Sequence, residues 1–163
     1  MIDVAITQMP AAPLHVFEIW SNPAAVAARF VAATGFDLPP MGRSGGIGAL
    51  RLIRYEPTVW LAEGDISALP DVLAEDGALT AISGGVVRVR LSGTGWRALL
   101  MEGGVLDAEN PDFTIGCSAA TIIDHVAVRL HVVGEDACDA YLPLSFSKAL
   151  IHFWDEASAT LQL

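Results

Sequence analysis

Apolar and polar positions alternate most cleanly between Val86 and Leu91, where Val87, Val89 and Leu91 share one parity and Arg88 and Arg90 the other. A period of two puts successive side chains on opposite faces of a sheet, so this segment predicts a strand with one apolar face. The same period runs through Val126, Val128, Leu130 and Val132, interleaved with Arg129 and His131. Residues 14–20 are rich in β-branched, aromatic and aliphatic side chains and read as a strand. Further strands are predicted over residues 49–54, 58–62, 78–82, 118–123 and 137–142.

Elsewhere the period lengthens to that of a helix. Ser21-Asn22-Pro23 supplies a cap and a first-turn proline, Val26, Phe30 and Val31 lie on one side of residues 24–34, and Gly35 offers a left-handed stop. A short helix is expected over 65–76, with Pro70 as an alternative start, and another carries Trp96, Leu99 and Leu100 and ends near Gly103. From about Ser145, the positions Phe146, Leu150, Phe153, Ala157 and Leu161 recur at helical spacing. Residues 36–48, with Pro39-Pro40 and glycines at 42, 45, 46 and 48, read as a connector. Ser83-Gly84-Gly85 divides the chain. The order is β-α-β-β-α-β and then β-α-β-β-β-α, which predicts an α+β fold of two mixed halves with mainly antiparallel sheets.

Composition narrows the functional classes. The 163 residues are 53% hydrophobic and 17% charged, with a formal charge of −10. The mean hydropathy is +0.48 and the isoelectric point about 4.6. Disorder requires the opposite balance. So apolar a chain has either a large core or a surface that a partner covers. The nine basic residues form no patch, so the counterion release that drives nucleic-acid binding has no footprint. An acidic surface does not suit anionic membranes, and no apolar run approaches the roughly 18 residues of a membrane span. Met1-Ile2-Asp3-Val4 lacks the basic start of a secretory signal, so a cytoplasmic protein is expected. Cys117 and Cys138 fit that compartment as buried small hydrophobes rather than as a disulfide.

Candidate chemistry is sparse. The glycines at 42–48 are not followed by Lys-Ser/Thr as in a P-loop, and they lead into a strand rather than a helix, unlike a dinucleotide fingerprint. The histidines, His15, His125, His131 and His152, show no zincin spacing, and the cysteines form no C-x-x-C. His131 and His152 are expected at the surface or in an interface. Asp124-His125, between two strands, reads as a hairpin turn rather than a catalytic pair. Ser92-Gly93-Thr94-Gly95 reads as a helix N-cap through Ser92 or Thr94. Core burial is expected for Trp20, Trp60, Trp96 and Trp154. No catalytic, cofactor-binding or metal-binding residue is assigned.

Several segments resemble a known family. Ala78-Leu79-Thr80-Ala81-Ile82-Ser83 and the run from Val86 to Leu100, which contains Leu91-Ser92-Gly93 and Leu99-Leu100, are similar to the middle of sarcosine oxidase gamma subunits. Glu102 to Asp107 is similar to the turn that follows, with Gly104 where the family often has Cys and Val105 where it often has Pro. Phe113, Gly116 and Ala120-Thr121 continue the pattern. Ser145-Phe146 through Phe153-Trp154 resembles the closing helix, although Tyr141-Leu142-Pro143-Leu144 stands where a basic residue is usual. Gly35 to Pro39, Leu50-Arg51-Leu52 and Val59-Trp60-Leu61 also fit.

The resemblance implies one gamma-subunit-like domain over residues 1–163, with a fold similar to the folate-binding domain of the glycine-cleavage T protein. It implies a small non-catalytic subunit of a heterotetrameric flavin-dependent complex that demethylates sarcosine or another N-methyl amine. FAD, FMN, NAD, tetrahydrofolate and zinc are then expected on the alpha, beta and delta partner subunits and none on this chain. A stand-alone folate-binding or aminomethyltransferase-like domain is the alternative. The partner-facing surface is expected around residues 36–48 and exposed aromatics.

Overall fold

The structure, a computed structural model, describes residues 3–161. In chain order the elements are β1 (Ala5–Gln8), β2 (Leu14–Ile19), α1 (Pro23–Thr34), β3 (Ser44–Ile47), β4 (Leu50–Glu56), β5 (Val59–Gly64), α2 (Leu69–Leu73), β6 (Gly77–Ala81), β7 (Val86–Ser92), α3 (Trp96–Met101), β8 (Ser118–Ile123), β9 (Val126–Gly134), β10 (Ala137–Pro143) and α4 (Leu144–Leu161). They form two compact units, divided between Gly84 and Gly85. Residues 12–84 make the N-terminal unit. The C-terminal unit is built from residue 85 onward and also takes in the chain up to residue 11.

The N-terminal unit contains a five-stranded sheet in the order β3-β4-β5-β2-β6, with every neighbouring pair antiparallel. Its core joins Phe17, Ile19, Leu50, Leu52, Trp60 and Ala62 from the strands to Val26, Phe30, Leu69, Val72 and Leu73 from α1 and α2. Phe17 meets Phe30 and Trp60 edge-on, with ring centroids 6.2 and 5.7 Å away. Each such fully buried large side chain stabilises the unit by about 1.5–3 kcal/mol relative to exposure. Helix α1 has Pro23 in its first turn, but Asn22 is left-handed (φ 47°) and makes no side-chain cap; its amide donates to Asp76 instead. Helix α2 is only five residues long and begins next to Pro70, much shorter than the 65–76 expectation.

Part of the expected connector is a strand. Ser44–Ile47 pairs with β4 from Ser44 opposite Ile53 to Ile47 opposite Leu50. A Cβ on Gly46 would come within 2.4 Å of the Leu50 carbonyl oxygen, so glycine is what allows this edge to close on β4. Gly46, one of the glycines that suggest looseness, is here a condition of pairing.

The C-terminal unit holds a second antiparallel sheet, ordered β1-β7-β10-β9-β8. Its core combines Val89, Leu91, Val128, Leu130, Val132, Cys138, Ala140 and Leu142 with Trp96, Leu99 and Leu100 of α3 and Leu150 and Trp154 of α4. The buried stripe of α4 runs through Ser147, Leu150 and Trp154. Phe146, expected on that stripe, is 53% exposed because it lies in the first turn, one position before the stripe begins. The edge strand β1 has no counterpart in the predicted order. It has four mostly exposed residues, too few for a periodic signal.

Candidate functional site

The register aligns Thr7, Arg90, Asp139, His131 and Ser118 across the C-terminal unit's sheet, on the face opposite its helices. Asp139 is 1% exposed. Arg90 grips it with two bonds, Nε to Oδ1 at 2.7 Å and Nη2 to Oδ2 at 2.9 Å, while Arg88 stands 4.0 Å from Oδ2. Both carboxylate oxygens thus accept from a guanidinium. A carboxylate held this way has both oxygens engaged by the sheet's own arginine. His131 is buried in the same row rather than at the surface. Alternation gives its face correctly; it does not say whether a face is covered.

The thiols are free and buried. Burial pushes the Cys138 thiol up to about 12, so at neutral pH it carries its proton and is no nucleophile. Cys117 Sγ donates to the Asp112 carbonyl at 3.2 Å and accepts from the Thr114 amide at 3.3 Å, closing a turn. Arg97 fixes the same stretch: its guanidinium lies 4.2 Å over Trp96 and donates to the carbonyls of Ala108 and Phe113.

The N-terminal unit has a pocket of about 200 Å³ lined by Ile19, Pro23, Ala27, Leu38, Arg54, Pro57, Thr58 and Trp60. Arg54 lies 4.6 Å over the Trp60 ring and donates to the carbonyls of Glu56, Pro39 and Pro57. Trp60 Nε1 also donates to Pro39 at 3.2 Å. With these N–H groups directed at backbone carbonyls, the wall is predominantly apolar and suits a small apolar group.

Asp76 gathers the polar groups at the start of α1. It accepts from Ser21 and Asn22 at 2.8 Å each and from Arg29 at 2.7 Å. Arg29, foremost among them, holds the Asp76 carboxyl down at about 2.

Asp124 and His125 form the two-residue turn between β8 and β9, with φ of 44° and 66°. Both are left-handed, as a type I′ hairpin requires. Ser92 and Thr94 do not cap α3: its N-cap is Gly95, without a side-chain bond, and Thr94 Oγ1 instead accepts from the Asp3 amide at 3.4 Å. Trp60, Trp96 and Trp154 are buried, but Trp20 is 66% exposed, because it follows the last residue of β2 and leaves the sheet. Among the described residues no three His, Cys, Asp or Glu side chains are grouped to hold a metal ion, and no helix is long and apolar enough to cross a membrane. The acid–base candidates are therefore dispersed between a sheet face, a turn and a helix start.

The model of the sarcosine oxidase gamma subunit family matches residues 22–160. The chain belongs to that family. The family match begins at the start of α1, so it takes in strands of both sheets but omits β1 and β2. Comparison with curated proteins gives no significant sequence match. Among solved structures, a chain of the heterotetrameric sarcosine oxidase from Corynebacterium sp. U-96, in complex with pyrrole 2-carboxylate, superposes with a TM-score of 0.86 at 18% identity, covering 98% of this chain and 86% of that one. The glycine cleavage system aminomethyltransferase T from Bartonella henselae superposes with a TM-score of 0.67 at 17% identity. That match covers 93% of this chain and 45% of the other, so this chain spans less than half of the transferase. At these identities the likeness establishes a shared fold, the α+β arrangement of two antiparallel sheets that the strand pattern predicts.

Proposed function

We propose that the chain is a non-catalytic subunit of a heterotetrameric, flavin-dependent sarcosine oxidase-like complex, supporting assembly of the subunits that oxidatively demethylate sarcosine or another N-methyl amine. The observation that carries this reading is the family match over residues 22–160. The engagement of Asp139 by Arg90 and the protonated state of Cys138 are consistent with it, since neither side chain is poised for acid–base or nucleophilic work. Exposed apolar side chains such as Trp20, Met41 and Ile47 suit a chain that meets partners.

In this reading alpha, beta and delta subunits complete the complex in the cytoplasm. They carry FAD, FMN, NAD, tetrahydrofolate and zinc. The test is recovery of the tagged chain from its native host, read by mass spectrometry and visible absorbance. Co-purifying flavoprotein subunits and turnover of an N-methyl amine support the proposal. A colourless chain returning alone under gentle conditions overturns it.

The fold shared with aminomethyltransferase T favours one alternative, a folate-binding or aminomethyl-transfer domain acting by itself. It requires the isolated chain to bind tetrahydrofolate. Calorimetric titration without heat of binding eliminates it.

A further inference from the structure

The C-terminal unit carries an exposed apolar row at one end of its sheet. Pro143 pairs with Val86, and Ile122 pairs with Ala127. An antiparallel bridge between Gly104 and Ile123 sets Val105 beside Ile122. Pro143, Val86, Ala127 and Ile122 alternate with core residues Leu142, Val87, Val126 and Ile123, so they share the face that points away from the helices. The row ends in its most exposed members: Val105 is 82% exposed and Ile122 53%. Isolated exposed apolar side chains are ordinary, but an ordered row on an edge strand is a recognition feature.

The charge around the open end of the row is one-sided. From residue 98 to 128 there is no lysine or arginine, whereas Glu102, Asp107, Glu109, Asp112 and Asp124 are all present and exposed. Glu102 precedes Gly103, whose carbonyl accepts from the Asp124 amide at 3.0 Å, and Asp107 follows Val105 by two residues. The acidic groups thus flank Val105 and Ile122. The neighbouring row of the same face runs Arg88, Tyr141, Arg129 and Ala120, so the half-buried Arg129 on β9 stands next to β8, while the acidic residues of the 102–107 segment lie on the outer side of β8. Arg97, the nearest basic residue in sequence, is directed into the 108–113 stretch and holds it in place.

We infer that Val105 and Ile122, with their acidic rim, dock a different subunit of the complex, one that presents an apolar ridge flanked by lysine or arginine. This inference rests on the subunit role proposed above. A second copy of this chain is the disfavoured occupant, because its own acidic rim would face a like-charged one. Val31, 40% exposed on α1 of the other unit and outside residues 36–48, serves as an internal control.

The experiment compares tagged wild type with V105K/I122K, E102K/D107K and V31K, each recovered from the native host. The read-outs are identified flavoprotein partners, their flavin absorbance and the melting temperature of the tagged chain. V105K/I122K is expected to recover at least tenfold less partner at an unchanged melting temperature, while V31K recovers the wild-type amount. E102K/D107K alters exposed polar positions only, so it keeps the test decisive if the apolar pair disturbs folding; its recovery is expected to fall severalfold, as wild-type recovery does with added salt. Undiminished recovery by folded V105K/I122K and E102K/D107K overturns the docking surface and leaves the subunit role standing. Wild type returning without partners overturns both. A wild-type dimer that V105K/I122K dissociates, seen by sedimentation, would assign the row to self-association and also overturn the inference.

Discussion

In each unit an arginine engages an aspartate and an arginine stacks on a tryptophan, yet the two units place them differently. In the C-terminal unit, Asp139 is 1% exposed within a sheet face and is held by two guanidinium bonds. In the N-terminal unit, Arg29 and Asp76 join a helix to the end of a neighbouring turn, with side chains 37% and 15% exposed. The same chemistry therefore has unequal consequences. The arginines are about equally exposed, at 36% and 37%, so the pairs differ in the carboxylate: left without its arginine, Asp76 still reaches water and Asp139 does not. Arg90→Met is expected to destabilise the protein by about 3–5 kcal/mol, because it leaves the buried Asp139 carboxylate without its two guanidinium bonds. Urea denaturation measures it. The double variant R90M/D139L should regain much of that loss, since apolar replacement of both partners removes the stranded charge. If Arg90→Met shifts the urea midpoint no more than Arg29→Met does, the contrast between the units collapses.

The stacked arginines extend the comparison. Arg97 reaches across to residues 108 and 113, whereas two of the three carbonyls accepting from Arg54, those of Glu56 and Pro57, are its close neighbours in sequence. A guanidinium that closes a longer loop restrains more chain. Arg97→Met is expected to cost about 2 kcal/mol, in line with two lost charge-assisted bonds to carbonyls that are then left without these donors. Arg54→Met should cost less. Limited proteolysis distinguishes them: cleavage between residues 102 and 117 should rise for Arg97→Met, with no equivalent gain near Pro39 for Arg54→Met.

Much of this architecture is legible in the chain itself. Val87-Arg88-Val89-Arg90-Leu91 and the 126–132 alternation give two sheet strands and their faces, and Ser83-Gly84-Gly85 marks the division between units. Three kinds of feature escape. Ala5–Gln8 is too short to show a period, and its place beside β7 is a long-range pairing that local sequence does not encode. Ser44–Ile47 has glycines where strands usually carry bulk, and at Gly46 the closeness of β4 leaves no room for a Cβ. Asp139 interrupts an otherwise apolar strand, Ala137–Pro143; an acid in that setting calls for a basic partner, and the Arg-x-Arg of β7 is the sequence signal that answers it. The exposure of Trp20 is not readable in the same way, since composition marks it as apolar and only the end of β2 turns it outward.

The hairpin turns provide a smaller contrast. Between β3 and β4 the left-handed position is filled by Gly48, at φ 56°. Between β8 and β9 it is filled by Asp124 and His125, and a side chain in that region carries a steric penalty that glycine lacks. His125→Gly is therefore expected to stabilise the C-terminal unit by about 1 kcal/mol. Gly48→Ala should move the N-terminal unit in the opposite direction by a similar amount. Thermal melts of the two variants check the signs, and a destabilised His125→Gly would show that the imidazole makes a contribution larger than the backbone strain it brings.

The most subtle effect belongs to Asp76 and depends on pH. Its carboxyl titrates at about 2 in the folded chain against an ordinary 3.8, chiefly because Arg29, Asn22 and Ser21 bond to the ionised form. A folded value below the unfolded one means that the unfolded chain binds the proton more readily. The resulting stabilisation is fully present above the ordinary carboxylate value and is lost as pH falls through the folded value. Wild type should accordingly lose more melting temperature between pH 4 and pH 2 than Asp76→Asn does, whereas at pH 7 the two should differ by a constant amount that is independent of small pH changes. The exposed position of the pair keeps the effect modest, and salt should shrink it further. Parallel pH profiles for the two proteins would mean that the bonds to Asp76 persist equally well with a neutral side chain. The N-terminal unit's pair would then be a matter of hydrogen-bond geometry rather than charge, which sharpens its difference from the buried pair at Asp139.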